Sequence, residues 1–322
     1  MNTRRIPRLG WDVTDIGYGM WGMGGWTGSD DAASARALDR AVALGCNFFD
    51  TAWIYGEGRS ERLLGDLLRR HPGQPILTAT KVPPKDRVWP GRGATPVDQV
   101  YPYDHIVEYT ERSLANLGAE VIDLQQLHVW DDRWAPDDGW KRAAEDLKRA
   151  GKIRAFGISI NRWEPANVLQ ALETDLVDVV QVVYNVFDQA PEDVLFDVCA
   201  KKGIGVIARV PLDEGSLTGT LTAQSRWPDG DFRNIYFQPP KLEETLARVA
   251  PLKALAHEWG EPLPSVALRF ILAHPAVTTV IPGMRALANV DANMATSGRP
   301  LTPAQVAALR AFRWDRKPDH RP

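Results

Sequence analysis

Asp50, Tyr55, Lys81 and His128 are the residues of this 322-residue chain whose types and spacing point most directly to chemistry. Asp50 lies near the end of an apolar run at 46–52, with Tyr55 in the loop that follows. Lys81 ends a run at 76–82, and His128 falls near the end of a run at 123–130. A tyrosine phenol ionises at about pH 10 and is a poor proton donor at neutral pH. An adjacent ammonium favours the phenolate and lowers that value. Lys81 can supply the ammonium, and Asp50 can keep it protonated and oriented. His128 can hydrogen-bond the oxygen that Tyr55 addresses. Together they make a proton donor poised over a carbonyl. A Schiff-base aldolase with Lys81 as nucleophile is the competing chemistry. It needs a desolvated amine of lowered pKa, and a carboxylate beside it does the opposite. Singly, each residue has an ordinary reading as a solvated charge, a structural histidine or a turn cap. Their order at successive strand ends carries the functional one.

Such a set converges only if the strands bearing it are parallel neighbours. Strand-like runs at 15–21, 46–52, 76–82, 123–130, 153–159, 177–186, 204–210 and 277–281 alternate with helical patterns at 30–44, 60–70, 104–117, 138–150, 165–172, 192–202, 242–259 and 287–295. Ser29 or Asp30 can cap the first helix. Gly118, Gly151 and Gly203 follow helical runs, where glycine ends helices well. A hairpin arm is expected at 8–13, a short helical stretch at 265–273, and one more helix at 303–312. Strands alternating with helices imply parallel strands and right-handed crossovers. Val179-Val180-Gln181-Val182-Val183 is apolar on both faces, as a buried parallel strand should be.

Eight such units predict an α/β fold, a (β/α)8 TIM barrel spanning 1–322 as a single domain, with an N-terminal β-hairpin and an extra C-terminal helix. An open doubly wound sheet is the alternative, and Gly17, Gly19 and Gly22 do match G-x-G-x-x-G. That match alone is weak. Two long loops, 83–103 and 212–241, are too aromatic to be simple linkers.

Composition narrows the class. With 38 basic and 41 acidic residues the formal charge is −3, which gives no basic excess to neutralise phosphates and argues against nucleic acid as a partner. At 44% hydrophobic and 25% charged the chain is not disordered. Cys46 and Cys199 suggest neither a disulfide framework nor a zinc site, and no His/Cys/Asp cluster has metal-ligand spacing. The basic start at residues 1–5 is followed by no apolar signal region. No run approaches the ~20 residues needed to cross a bilayer. A cytoplasmic protein without membrane partners is expected.

Phe49-Asp50-Thr51-Ala52-Trp53-Ile54-Tyr55-Gly56, Thr80-Lys81 and Leu127-His128 resemble the Asp, Tyr, Lys, His tetrad of the aldo-keto reductases. Gly58-Arg59-Ser60-Glu61-Arg62-Leu63-Leu64-Gly65, Gly151-Lys152-Ile153-Arg154-Ala155-Phe156-Gly157-Ile158-Ser159 and Ile281-Pro282-Gly283 look like further signatures of that family, in order along nearly the whole chain. The resemblance implies NADPH-dependent reduction of a small-molecule carbonyl, with NADH as the alternative carrier. It also implies a barrel-mouth cofactor site. Gly19, Met20, Trp21 and Asp50 would lie beside the cofactor, and Ser159, Asn161 and Gln181 at the nicotinamide amide. In Asn161 the chain departs from the family, which often has Asn directly after the Ser. The family's aromatic stacking position falls on Arg209. Val210, Pro211, Leu212, Gly215, Ser216 and Leu217 resemble the pyrophosphate loop, and Gly283, Met284, Arg285, Asn289 and Asn293 the adenosine end. Arg285 is the cation placed to meet a 2′-phosphate. The family also includes potassium-channel β subunits, so a cofactor-binding regulatory protein on the same fold is the rival reading.

The chain holds 12 Trp against 9 Phe and 7 Tyr. Trp21, Trp26, Trp53, Trp89, Trp130, Trp134, Trp163 and Trp227 follow the predicted strands on the side where such barrels keep their active sites. Trp21, Trp53, Trp89 and Trp130 are the candidates for an aromatic pocket wall. A wall of this kind predicts a bulky or flat cyclic substrate.

Overall fold

Period-two alternation in the strands decides what fills the centre of the molecule. The computed structural model describes residues 1–25 and 28–315. An antiparallel hairpin, β1 (Thr3–Ile6) and β2 (Trp11–Thr14), comes first. Eight parallel strands follow in chain order: β3 (Tyr18–Gly19), β4 (Phe48–Asp50), β5 (Leu77–Val82), β6 (Ile122–Leu127), β7 (Ile153–Ser159), β8 (Val179–Val183), β9 (Gly205–Arg209) and β10 (Thr279–Val280). The first and last are joined by bridges Ile16 to Val280 and Gly19 to Gly283, and by Gly19 N donating to the Pro282 carbonyl at 3.0 Å. The sheet is therefore the expected (β/α)8 barrel.

Inside the barrel, the inward positions change character from one layer to the next. Phe48, Ala79, Leu124, Ala155, Val179, Ile207 and Ile281 form an apolar floor, plugged from below by Ile6, Trp11 and Val13 of the hairpin. Two residues further along β4, β5, β6, β8 and β9 the same face carries Asp50, Lys81, Gln126, Gln181 and Arg209. In β7 the polar position comes four residues on, at Ser159. Gly157 lies between, where an added Cβ would stand 3.0 Å from the Gln126 side chain. The floor is a packed core, and the polar layer above it opens at the C-terminal ends of the strands.

Helices α1 (Asp31–Ala43), α2 (Arg59–Arg70), α3 (Val97–Val100), α4 (Tyr103–Leu117), α5 (Asp138–Arg149), α6 (Leu169–Leu172), α7 (Leu195–Lys202), α8 (Arg233–Tyr236), α9 (Lys241–Glu258), α10 (Leu263–Ala273), α11 (Leu287–Met294) and α12 (Pro303–Arg310) connect or cover the sheet. Asp30 caps α1 by accepting from Ala33 N at 2.7 Å, and α12 opens with a Thr302/Gln305 capping box. Among the described residues no helix is long and apolar enough to cross a membrane.

Two expectations shift. The hairpin is formed by 3–14, not an arm at 8–13, because Gly10 takes a positive φ in the turn between β1 and β2. The helix expected over 165–172 survives only as α6. Its first N–H groups are capped from elsewhere, Asp132 accepting from Gln170 N at 2.6 Å and Ala171 N at 3.0 Å. Residues 165–168 are held instead in turns, where Glu164 accepts from the Asn167 side chain at 2.9 Å.

Barrel closure depends on close backbone approach at β3. A Cβ on Gly19 would stand 2.6 Å from the Ile281 carbonyl oxygen, well inside contact distance. Gly19→Ala is therefore expected to destabilise the chain by about 1–3 kcal/mol through forced backbone displacement. Denaturant unfolding checks this, and an unchanged midpoint would contradict it.

Candidate active site

Lys81 ends the inward face of β5 with its ammonium fully buried. It donates to Asp50 Oδ2 at 2.7 Å and to the Thr51 carbonyl at 2.6 Å. A buried charge persists only when paired and hydrogen-bonded, and Asp50 meets that demand from β4. The other oxygen of Asp50 accepts from Gln181 Nε2 at 2.7 Å and from Gln126 Nε2 at 3.4 Å. The carboxylate is thus held by groups from three further strands.

Tyr55 lies in the loop between β4 and α2, with Lys81 Nζ 5.2 Å from its ring centre and bonded to its hydroxyl. Burial raises the phenol pKa. Lys81 pulls it back down, Asp50 raises it, and Arg209 lowers it. His128, just beyond β6, meets Tyr55 edge to face with ring centres 5.8 Å apart. Burial, then Lys81 and Arg209, drive the His128 pKa well below its usual value, so the ring is neutral at pH 7. Its Nδ1 is buried with no hydrogen-bond partner among the described residues. A neutral imidazole can act as a donor from its other nitrogen. The structure brings all four candidates of the tetrad together.

The residues expected near a nicotinamide are placed differently from one another. Ser159 ends β7 in register with Gln181 of β8 and is buried. The Gln181 amide nitrogen, however, is turned to Asp50. Asn161 is committed to the loop after β5: it accepts from Gly91 N at 3.0 Å and donates to the Gly91 carbonyl at 3.0 Å. That pairing makes it a clamp on the loop that carries Trp89. Met20 is buried, with its N–H on the Asp50 carbonyl at 2.9 Å. Arg209 ends β9, its Nη2 donating to the Ile160 carbonyl at 2.9 Å while its Nε is buried without a partner among the described residues. Burial, with the nearby Arg162 adding to it, lowers the Arg209 guanidinium to about 10, so it remains charged at neutral pH.

The loop at 210–217 is tightly tied. Val210, Asp213 and Glu214 all have positive φ, a strained backbone for non-glycine residues. Ser216 Oγ donates to Asp213 Oδ2 at 2.6 Å. Pro211 and Leu217 are buried and Leu212 is partly so, whereas Gly215 has open space where a side chain would stand. Arg162, which the sequence did not single out, fastens this loop. Its guanidinium pairs with Asp213 at 3.2 Å and Glu214 at 2.9 Å and donates to the Tyr236 hydroxyl at 2.6 Å. Tyr236, Phe237, Leu242, Trp163 and Trp227 form a small apolar core under the loop leading to α9.

At the far end, the Tyr18 hydroxyl donates to the Met284 carbonyl and fixes the turn after β10. Gly283, Arg285 and Asn289 are exposed on that rim, while Met284 and Asn293 are buried. The Arg285 stem lies 3.1 Å from where a Cβ on Gly22 would be. Its charge reaches Asp231, whose carboxyl is held below its usual range first by hydrogen bonding to Arg233 and also by Arg285.

The tryptophans divide. Trp21 and Trp89 are 45% and 38% exposed, and Trp89 meets His128 edge to face with ring centres 5.9 Å apart. Trp130 is 0% exposed, packed 5.8 Å from Trp134 and 5.2 Å from Trp140, with its indole N–H on Asp132. Trp53 is 8% exposed, set against Tyr109 of α4 and under Arg87. Of the four residues expected in the pocket wall, Trp21 and Trp89 are exposed, whereas Trp130 is packed among Trp134 and Trp140 and Trp53 is largely covered by Tyr109 and Arg87. Trp26 lies outside the described residues.

A nicotinamide cofactor fits these residues on two counts: the unpartnered, buried Nδ1 of His128 and Nε of Arg209 sit around Tyr55, and open backbone stands at Gly215 and Gly283. Among the described residues no group of three His, Cys, Asp or Glu is placed to hold a metal. Breaking the buried pair should be costly in its own right. Lys81→Met leaves Asp50 unpaired and is expected to destabilise the chain by about 3–5 kcal/mol. Chemical denaturation checks it, and a loss near zero would mean the pair is not built as described.

Comparison with known proteins places the chain in one family. Residues 15–313 match the profile of the aldo/keto reductase family. Aldo-keto reductase YhdN of Bacillus subtilis (strain 168) is 29% identical over 301 residues, covering 91% of this chain and 87% of the relative. NADH-specific methylglyoxal reductase of Escherichia coli (strain K12) is 28% identical over 324 residues, covering 95% of this chain and 97% of the relative. The solved structure of glycerol dehydrogenase AKR11B4 from Gluconobacter oxydans superposes with a TM-score of 0.80 at 28% identity, covering 97% of this chain and 94% of that one. The chain belongs to the aldo-keto reductase family and is an NADP(H)-dependent oxidoreductase of that class.

Proposed function

We propose that this chain reduces a small-molecule aldehyde or ketone to the alcohol with NADPH, Tyr55 giving the proton. One observation carries the reading: the Lys81 ammonium is fixed by Asp50 and Thr51 so that it also meets the Tyr55 hydroxyl. When bound, the cofactor supplies the hydride, which no side chain can. Tyr55 protonates the carbonyl oxygen as the alcohol forms. Lys81 stabilises the phenolate left behind, and Asp50 keeps Lys81 charged. His128, neutral, donates to the same oxygen and orients the carbonyl. Ser159 would face the nicotinamide amide, the 211–217 loop the pyrophosphate, and Arg285 a 2′-phosphate. Trp21 and Trp89 flank the opening, which favours a flat cyclic substrate.

NADPH oxidation across a panel of aldehydes, cyclic ketones and keto-sugars tests this. Tyr55→Phe is expected to lower kcat by at least about 10²-fold, with the Kd for NADPH unchanged. Turnover untouched by that change would overturn the assignment. Binding of NADPH with no turnover on any carbonyl would favour a regulatory protein. Cyclic ketones should show higher kcat/KM than glyceraldehyde, and the reverse order would remove the aromatic-wall argument.

The cofactor preference has its own test. Arg285→Ala should weaken NADPH binding by about tenfold, the scale of one lost charge-assisted bond, and leave NADH binding unaltered. Equal Kd values for NADPH before and after the change would refute the 2′-phosphate role.

A further inference from the structure

Arg209 is a half-buried cation at the end of β9, beside the reacting centre, to which the proton transfer assigns no donor or acceptor role. It ends β9 on the inward face, two residues above Ile207 of the barrel floor. One arm is locked by the Ile160 carbonyl at 2.9 Å, and its Nε is buried with no partner among the described residues. Its charge acts on Tyr55, on His128 and on Asp50. The acidic groups on the mouth side, Asp213, Glu214 and Asp188, make their ion pairs with Arg162, and of these Glu214 also acts on Arg209 from a distance. No carboxylate makes an ion pair with Arg209 among the described residues. Its field therefore falls on the space beside Tyr55.

That space is where a hydride carrier has to sit. The carbonyl oxygen must come within hydrogen-bond reach of Tyr55, and the donor carbon within ~3–3.5 Å of the carbonyl carbon. A nicotinamide ring satisfying both lies within a few ångströms of the residues Arg209 already influences. The ring carries a positive charge when oxidised and none when reduced. A fixed cation beside it repels the oxidised form and leaves the reduced form unaffected.

We propose that Arg209 makes the site discriminate between the two redox states of its cofactor, weakening NADP+ relative to NADPH. The proposal rests on the carbonyl-reductase reading above and deepens it. The electron balance is that of the established reaction: two electrons and a proton leave NADPH as hydride, one proton comes from Tyr55, and NADP+ remains. Arg209 adds no step. It keeps the chain loaded with reduced cofactor and eases departure of the oxidised product, while raising the potential of the bound couple.

Calorimetric Kd values for NADPH and NADP+ on the full chain test this, alongside Arg209→Gln, Arg209→Leu and Arg209→Lys. Wild type is expected to bind NADPH more tightly than NADP+. The neutral variants should cut that ratio by about tenfold, the order expected for one charge several ångströms away at intermediate dielectric. Tenfold corresponds to about 30 mV in the potential of a two-electron couple. Arg209→Gln can keep a hydrogen bond to the Ile160 carbonyl, which separates charge from anchoring, and Arg209→Lys should retain the wild-type ratio. An unchanged ratio in folded Gln and Leu variants, or a lysine variant behaving like leucine, overturns the proposal and leaves the reductase reading standing. A wild-type chain that binds neither cofactor overturns both.

Discussion

The pairing of Lys81 with Asp50 inside the barrel is the constraint on which the rest of the site depends. Two opposite charges at the top of an apolar floor are tolerable only if each remaining hydrogen-bonding position is filled. Asp50 takes Lys81 on one oxygen and the amides of Gln181 and Gln126 on the other. Lys81 spends its donors on Asp50, Thr51 and Tyr55. The network ties β4, β5, β6 and β8 into one unit, so the phenol of Tyr55 is addressed by a cation that cannot swing away. Placement of this kind is what lets a group of high intrinsic pKa serve as a proton donor.

Around that unit the barrel mouth is built from ties made by loops. Asn161 holds Gly91 and so the approach to Trp89. Arg162 gathers Asp213, Glu214 and Tyr236, and keeps the strained backbone at 210–214 in place. Strain of this sort persists only when neighbours over-determine it. The acidic cluster around Arg162 leaves Arg209 without an ion-pair partner among the described residues, a second cation beside Lys81 acting on Tyr55 and His128.

The fold was legible wherever the signal was local. Residues 153–159 read as a strand and are β7, and of the two candidates for the cap of α1, Ser29 and Asp30, Asp30 is the one that caps it. The tetrad was legible because its members sit at strand ends, which a parallel barrel must bring together. Side-chain direction was not legible once a partner lay far along the chain. α6 is short because its cap is Asp132, 38 residues earlier. The resemblance put Gln181 at the nicotinamide amide, but its amide nitrogen donates to Asp50, across the barrel. Trp130 follows His128 closely and yet turns into a cluster with Trp134 and Trp140, which the surplus of tryptophan could not reveal. Arg162 had no sequence signal at all, since a lone arginine in a loop is ordinarily a solvated charge.

The central claim is that Lys81 sets the acidity of Tyr55. The pH profile of kcat/KM for carbonyl reduction, compared between wild type and an Asp50→Asn/Lys81→Met chain, tests it most directly. Removing the pair together avoids a stranded buried charge. Because Lys81 lowers the Tyr55 pKa more than Asp50 raises it, the alkaline limb should move to higher pH in the double variant, on a lower plateau. An alkaline limb at the same pH in both chains would contradict the account, since another group would then be giving the proton.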